Sequence, residues 1–266
     1  MSRVPTICLA LAASLASVPA LAVANKYPQA TLRGFPDLSD ERGLKIADGV
    51  LTQWVDKDKL HVKLTWDFAS GRHVEENAIL RQHPELAQET WSFEDKTAGQ
   101  VTRRFDIDFE AGRATGRKLD DKGKEEHWSE EIKVKPGKTF AGIAFGMAAA
   151  AVYDQLKAGE KVELEGVVFM PKPRVGGVEL SLEGTRPLRR GGKAVSADVI
   201  KLHPKVPWPV SKIVGAKDIR LWYFHGAPPQ LLRAEMPLAE IKDPMVRIDV
   251  LPGGKRLPRP SARSQK

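Results

Sequence analysis

The sequence predicts a mainly β protein, a curved antiparallel sheet in the form of a half-barrel or open barrel, with one apolar helix packed against it. Two observations predict this fold. Short segments of alternating apolar and polar residues recur along the chain, separated by turns rich in glycine, aspartate and proline. Residues 140–153 lack this alternation and are apolar almost throughout, which is typical of a buried helix.

The clearest strand pattern lies at residues 60–68, where five apolar side chains alternate with polar ones. A period of two places the apolar set on one face of a half-buried strand. Residues 105–110 repeat the pattern, with Phe105, Ile107 and Phe109 on one face. Both segments run into related turns, DFASGR at 67–72 and DFEAGR at 108–113, so we expect a repeated hairpin within a meander.

Residues 140–153 predict one helix, which continues to Gly159 and has Thr139 as its N-cap. The segment is apolar around nearly its whole circumference, and its fourteen residues are fewer than the ~20 that span a membrane. It should therefore pack on or inside the sheet. Gly142 and Gly146 would let backbones approach closely, either within the protein or, as the alternative, in a membrane-facing dimer.

Strands resume after the helix. They are predicted at residues 161–170, 177–182, 194–202, 219–225, 231–234 and 245–251. Three prolines within residues 203–209 argue against helix and regular sheet and predict an extended loop that carries Trp208. This loop either covers a cavity or runs along the surface with Trp208 tucked into the body.

The two ends of the chain predict an exported protein. Residues 1–24 have the features of a signal peptide: a basic start, a short apolar run and the small residues Ala22 and Ala24 at the cleavage site. An uncleaved N-terminal anchor is the alternative. Residues 25–254 then form a single β-rich domain, and residues 255–266 form a disordered basic tail. The expected location is periplasmic or secreted.

Composition excludes several classes of function. The only cysteine, Cys8, lies in the predicted signal peptide, so the processed chain would have no disulfide, thiolate metal site or cysteine nucleophile. The net charge is +8, but five basic residues and no acid lie in the tail at 255–266. A charge excess in a tail argues against nucleic-acid binding and leaves a solvated end, or a weak contact with an anionic surface such as lipid or cell-wall polymer.

Two polar clusters could carry chemistry. Asp106, Asp108 and Glu110 share a strand face and could act as acids and bases or bind a hard cation, although the arginines before them favour surface ion pairs. His127 lies among acidic residues, but the other histidines form no ligand spacing with it. The chain has no G-x-S-x-G, no H-E-x-x-H and no glycine-rich phosphate loop. We therefore predict no catalytic residue, no metal and no cofactor.

Aromatic residues are the remaining candidates for a site. Most of the six tryptophans fall on predicted strands, and each would by default anchor the core. If several lie on the concave side of the sheet, they would form an apolar trough for an acyl chain or a sugar. The candidate ligand-binding residues are Trp66, Trp91, Phe140, Phe145, Trp208 and Trp222.

The order of these motifs from about residue 44 to residue 251 resembles bacterial envelope proteins of unknown function, similar in outline to the LolA/LolB lipoprotein-carrier half-barrel. The matching features are the DFxxGR turns, the mid-chain helix followed by LKAGEK at 156–161, the strand IRLWYF at 219–224, and LLRAEMP at 231–237 after a proline turn. The resemblance implies a fold and a compartment. It implies no enzyme chemistry and no particular binding residue.

Three functions fit this sequence. The first is a non-enzymatic envelope protein whose concave sheet holds an apolar ligand, a lipid or acyl chain, or a partner's apolar segment. The second is a hydrolase or lyase that acts on envelope glycans through strand carboxylates such as Asp108. The third is a scaffold that docks onto another envelope protein through an exposed sheet edge. No transmembrane span is expected in any of them.

Overall fold

The computed structural model describes residues 23–120, 122–170, 172–190, 193–205 and 217–250. These residues form sixteen strands and two short helices, α1 (Ala144–Ala151) and α2 (Tyr153–Lys157). The strands are β1 (Leu32–Gly34), β2 (Asp37–Ser39), β3 (Lys45–Asp56), β4 (Lys59–Phe68), β5 (Arg72–Arg81), β6 (Ala87–Thr97), β7 (Gln100–Asp108), β8 (Arg113–Leu119), β9 (Glu125–Glu131), β10 (Thr139–Phe140), β11 (Val162–Met170), β12 (Lys172–Arg190), β13 (Lys193–Lys205), β14 (Ile219–Phe224), β15 (Gln230–Pro237) and β16 (Met245–Asp249).

All these strands belong to one sheet. Its order runs from β10 to β16 and then from β2 to β9, and β1 pairs with β3 beside this path. Neighbours are antiparallel, except that β10 and β11 are parallel. The second and the last of the described strands therefore meet inside the sheet at the β2–β16 pair, and the mid-chain strands β9 and β10 form its two edges.

This order forces the sheet to curl. Only residues 132–138 connect the two edge strands, and seven residues can span at most about 25 Å. The edges also touch through side chains. Lys172 of β12 pairs with Glu130 of β9 at 2.6 Å, and the ring of Phe169 in β11 stacks on Phe105 in β7 with centroids 4.4 Å apart. The predicted fold class, a curved antiparallel sheet in half-barrel or open-barrel form with helical structure packed against it, is confirmed.

The repeated hairpin is confirmed as well. The turn of DFASGR joins β4 to β5 and that of DFEAGR joins β7 to β8, and each turn contains a glycine with positive φ, +83° at Gly71 and +62° at Gly112. Only glycine adopts this backbone conformation without strain. The shared sequence therefore reflects a shared turn.

One row of paired residues crosses the concave face from β3 to β7. Its members are Leu51, Leu64, Glu76, Phe93 and Phe105, each opposite the next in register. The first two members are aliphatic and the last two are aromatic, and all five side chains are buried. Glu76 is the one acid in this row and stands between its aliphatic and aromatic parts.

The helix begins later than the sequence predicts. Thr139 is not its N-cap, because Thr139 and Phe140 form β10 and pair with Glu165 and the following glycine of β11. The Thr139 hydroxyl donates to Glu165 at 3.0 Å instead. Gly142, with φ +54°, then turns the chain, and α1 starts at Ala144.

The helix is also interrupted. Val152 has φ −99° and ψ +10°, which separates α1 from α2. Its end agrees with the prediction, because α2 stops at Lys157 and Gly159 adopts φ +86° just beyond it. Five of the eight residues of α1 are buried, so the expectation that this segment packs on or inside the sheet is confirmed.

The proline-rich segment begins as a strand and not, as predicted, as a loop. His203, Pro204 and Lys205 still belong to β13, with Pro204 opposite Val178 of β12. On the other side of β13 the pairing with β14 ends at Leu202. Pro204 therefore occupies an edge position, where a strand tolerates the missing N–H. Residues 206–209, with Trp208, lie outside the described residues.

Most of the predicted signal peptide and the whole basic tail also lie outside the described residues. Two residues before the predicted cleavage point are described. Val23 is buried, its N–H donates to Gly137, and its carbonyl accepts from Leu86, while Ala24 forms a bridge with Glu85. In the part of the chain that the structure covers, neither helix has the length and apolar character needed to cross a membrane.

Candidate functional site

The concave side of the sheet contains a partly open cavity of about 460 Å³. It lies between α1, strands β3 and β4, strands β14 to β16, and the N-terminal segment 28–36. Its lining is mainly apolar and includes Pro28, Leu32, Leu51, Leu64, Ile143, Phe145, Met147, Leu221, Leu231, Met236, Ile248 and Val250.

The size of the cavity limits what it can hold. Small-molecule sites range from about 300 to 1,000 Å³. A water molecule occupies about 30 Å³ in the liquid, and a methylene group is of similar size. The cavity therefore has room for about fifteen methylene groups. This volume is comparable to that of a single acyl chain with a small head group.

Alternation along β14 and small residues on α1 create this space. Leu221 and Tyr223 point into the cavity from β14. On the helix, Gly146 and Ala150 face them, and a Cβ at Gly146 would lie 3.4 Å from Leu231. Larger residues at these helix positions would occupy the volume that is now open.

The polar side chains of the lining are few. They are Gln29, Thr31, Gln53, Glu76 and Gln230, together with the hydroxyl of Tyr223. Gln53 donates to the carbonyl of Ala30 at 2.6 Å and ties the N-terminal segment to β3. Tyr223 donates to the carbonyl of Gly146 and ties β14 to α1. Both side chains therefore already have a hydrogen-bond partner within the protein.

Glu76 differs from these polar groups because it is the only acid among the described lining residues. Its Oε1 accepts hydrogen bonds from Nε1 of Trp91 and from the backbone N–H of Ile143, both at 2.7 Å. Burial raises the pKa of the carboxyl above its ordinary value, although the two hydrogen bonds oppose this shift. No described residue forms a hydrogen bond with Oε2.

The structure brings only part of the predicted aromatic site to the cavity. Phe145 of α1 belongs to the lining. Trp91 reaches it through its hydrogen bond to Glu76, while its ring stacks on Phe169 with centroids 5.6 Å apart. Phe140 is fully buried in β10 and is not part of the lining.

Trp66 and Trp222 also lie away from the cavity. The ring of Trp66 covers Gly49, where a Cβ would lie 2.4 Å from Cζ3, so this tryptophan fills the core. Trp222 packs in a separate cluster with Leu188, Val199 and Leu232. Its neighbours on β14 point into the cavity, and alternation therefore turns Trp222 to the opposite face. Trp208 is outside the described residues.

Sequence reasoning missed Glu76, the most distinctive group of this site. A pattern that could have revealed it is present in β5, where Val74, Ala78 and Leu80 are apolar residues at every second position apart from position 76. Glu76 lies an even number of residues from each of them, so its side chain points to the same, inward face of the strand. An acid at an inward position of a strand is rare unless it has partners or a function.

The strand carboxylates have structural partners. Asp106 pairs with Arg104 at 2.9 Å, and Asp108 accepts the backbone N–H of Ala111 at 2.8 Å in the turn before β8. The imidazole of His127 lies 3.3 Å from Glu125 on the exposed surface of β9. Across the described ranges, no cluster of three or more histidine, cysteine or acidic side chains is arranged to hold a metal ion.

The fold and the cavity together define an open, barrel-like β protein with an apolar interior beneath a helix. No protein-family model matches the sequence, and no curated protein matches it. A β-barrel-like protein of a domain of unknown function, DUF1849, from Brucella abortus is similar in structure, with 12% identity, a TM-score of 0.46, and coverage of 85% of this chain and 97% of that one. The hypothetical lipoprotein YmcC from Escherichia coli has 12% identity, a TM-score of 0.37, and coverage of 87% and 93%. Neither similarity assigns a family or a function.

Proposed function

We propose that this protein is a non-enzymatic protein of the bacterial envelope that binds a small apolar ligand, such as a single acyl chain, in its interior cavity. The observation that carries this proposal is the cavity of about 460 Å³, lined by aliphatic and aromatic side chains on the concave side of the sheet. Burial of an apolar molecule against such a lining removes apolar surface from water, which is favourable.

The lining favours a ligand over an apolar segment of a partner protein. A polypeptide brings backbone N–H and carbonyl groups that need hydrogen-bond partners when they are buried. The few polar side chains of the lining include Gln53 and Tyr223, which are already bonded within the protein. The hydrocarbon part of an acyl chain has no group that needs a hydrogen-bond partner.

The proposed location rests on the sequence. Residues 1–24 predict export, and the resemblance to LolA/LolB carriers suggests the same compartment. The hydrolase alternative has less support, since Asp106 and Asp108 are engaged by Arg104 and by the turn before β8.

The test is to purify the protein after export and to look for a bound compound by native mass spectrometry of the intact protein. Extraction with organic solvent then releases the compound. Lauryl alcohol is then titrated against the extracted protein, with tryptophan fluorescence as the readout because Trp91 lies beside Glu76 of the lining. We expect an apolar compound to co-purify or lauryl alcohol to bind with a stoichiometry of one.

A matched pair of variants tests the place of binding. Ala150 lines the cavity, whereas Ala151, the next residue of α1, does not. Ala150→Phe should weaken lauryl alcohol binding at least about tenfold by filling the space, and Ala151→Phe should leave it nearly unchanged. Absence of any bound compound and of lauryl alcohol binding, or equal binding by both variants, would contradict the proposal.

A further inference from the structure

Glu76 stands where the cavity meets the aromatic part of the core. Across the sheet it lies opposite Leu64 on one side and Phe93 on the other. Glu76 is 7% exposed and borders the cavity. An acid in such surroundings is costly to bury, so its presence calls for an explanation from its contacts.

One contact is structural. Oε1 accepts the N–H of Ile143 and so supports the start of α1, and it also accepts from Trp91. Both bonds need a single acceptor oxygen, which the side-chain carbonyl of glutamine would supply without a titratable group. The fold therefore accounts for Oε1 but not for the second oxygen of a carboxyl group.

The surroundings favour the neutral form of this carboxyl. The elements packed against Glu76 present Leu64, Trp91, Phe93 and the backbone at Ile143, none of which is charged. Tyr223, the other titratable group of the lining, is held in its neutral form because burial raises the pKa of its phenol. With both lone pairs of Oε1 occupied by N–H donors, the proton of a neutral Glu76 resides on Oε2, which is then a hydrogen-bond donor.

We propose that Glu76 is the head-group site of the cavity, and that its Oε2–H donates a hydrogen bond to an acceptor oxygen of the ligand. This inference rests on the proposed function and names its ligand class: a single-chain acyl molecule that ends in an ester or a carboxylic acid. The chain would extend along the aliphatic lining formed by residues such as Leu51, Leu221 and Ile248.

Two variants separate the roles of the two oxygens. Glu76→Gln keeps an acceptor for Trp91 and Ile143, puts an N–H donor in place of Oε2–H, and carries no charge at any pH. Glu76→Met removes acceptor and donor together. The probes are methyl laurate, whose head group only accepts hydrogen bonds, and laurylamine, whose ammonium only donates.

At pH 6 we expect wild type and Glu76→Gln to bind methyl laurate within about threefold of each other, and Glu76→Met to bind it about fivefold to tenfold more weakly. As the pH rises, methyl laurate binding should weaken for wild type, because an ionised carboxyl cannot donate, and stay constant for Glu76→Gln. If Glu76→Met does not fold, this contrast between wild type and the glutamine variant decides the question.

Three results separate failure of this inference from failure of the proposed function. Tighter binding of laurylamine than of methyl laurate, lost in Glu76→Gln, would show an ionised carboxylate and overturn the donor role. Methyl laurate binding with the same affinity and the same pH profile in wild type and Glu76→Gln would overturn the head-group site while the cavity proposal stands. No binding of either probe to wild type would overturn both.

Discussion

At the scale of single residues, Gly142 determines the polar end of the cavity. Its backbone has φ +54°, a conformation that residues with a side chain rarely adopt. A Cβ at this position would lie 2.0 Å from Oε1 of Glu76 and 2.2 Å from Nε1 of Trp91. The absence of a side chain lets Glu76 reach the N–H of Ile143, and this contact connects β5 to the start of α1.

We predict that Gly142→Ala lowers the free energy of unfolding by roughly 2–4 kcal/mol, from backbone strain and from displacement of Glu76 and Trp91. Urea unfolding followed by tryptophan fluorescence measures the change. Gly159→Ala is the matched control, because Gly159 also has a positive φ of +86° but a Cβ there would meet no other atom within 4 Å. It should cost only about 1 kcal/mol. Equal losses in the two variants would show that contacts at Gly142 contribute nothing.

At the scale of elements, the side chain of Asp198 connects α2 to the sheet. This side chain on β13 is fully buried, and its Oδ2 accepts from the hydroxyl of Tyr153 at 2.6 Å. Lys157 and His225 lie 2.9 Å from the same oxygen, and Thr185 donates to Oδ1. Burial alone would raise the pKa of Asp198, but the hydrogen bonds from Thr185, Tyr153 and Lys157 hold it below its ordinary value.

We predict that Asp198→Asn destabilises the protein by roughly 2 kcal/mol at neutral pH, because it weakens the hydrogen bonds that Thr185, Tyr153 and Lys157 donate to the buried carboxylate. The pKa of Asp198 is lowered by folding, so its contribution is complete above the unfolded value of about 3.9 and is lost as the pH falls through the lower folded value. The difference between wild type and the variant should therefore shrink below about pH 4. Urea unfolding at several pH values measures it.

The control for this prediction is Asp154→Asn. Asp154 lies on α2 and pairs with Lys26, but both side chains are largely exposed, so little change in stability is expected. A difference between wild type and Asp198→Asn that stays constant from pH 7 to about pH 3 would contradict a role for the ionised carboxyl.

At the scale of the whole molecule, a cluster of ion pairs closes one end of the curved sheet. Arg103 of β7 contacts Asp95 of β6, and it also contacts Glu240 and Asp243, which lie between β15 and β16. Lys118 of β8 reaches the same Glu240. Burial alone would lower the pKa of Arg103, but the acids around it, first Asp243, raise it above its ordinary value. The cluster joins two parts of the sheet that are distant in strand order.

We predict that Arg103→Met destabilises the protein by roughly 3 kcal/mol, because Asp243 would lose its cation, while Asp95 and Glu240 would keep only Arg72 and Lys118 as partners. Hydrogen exchange should accelerate both in β6–β8 and in residues 238–244, since the two regions lose their connection. Arg104→Met is the control: Arg104 is the next residue on β7, is half exposed, and pairs with Asp106 on the surface. Comparable destabilisation by both variants, or faster exchange confined to β7, would contradict a closing role.

Strand and turn patterns are local, and the sequence predicted them well. The alternation at residues 60–68 and the two DFxxGR turns correspond to β4 and to the β4–β5 and β7–β8 hairpins. The bounds of the helix were less predictable, because Thr139 and Phe140 are recruited into β10 by pairing with β11, which follows later in the chain. Local propensity contains no information about such a partner.

The candidate site was harder to predict for the same reason. Aromatic residues were chosen by type, but Trp66 fills the core over Gly49, and Trp222 faces away from the cavity. Phe145 lines the cavity because α1 crosses the concave face next to β14 and β15. Glu76 could be recognised as an inward-facing acid only because it lies two residues from both Val74 and Ala78 in β5.

The mainly β class, the antiparallel hairpins and the burial of the apolar segment at 140–153 can be derived from local sequence, because each follows from the period of side chains along a few neighbouring residues. The pairing of β16 with β2, the position of β9 and β10 at the edges, and the apolar cavity that remains beneath α1 with Glu76 at its border are visible only in the folded chain. These features depend on contacts between residues far apart in the chain, and the volume left between packed side chains is a property of the whole arrangement.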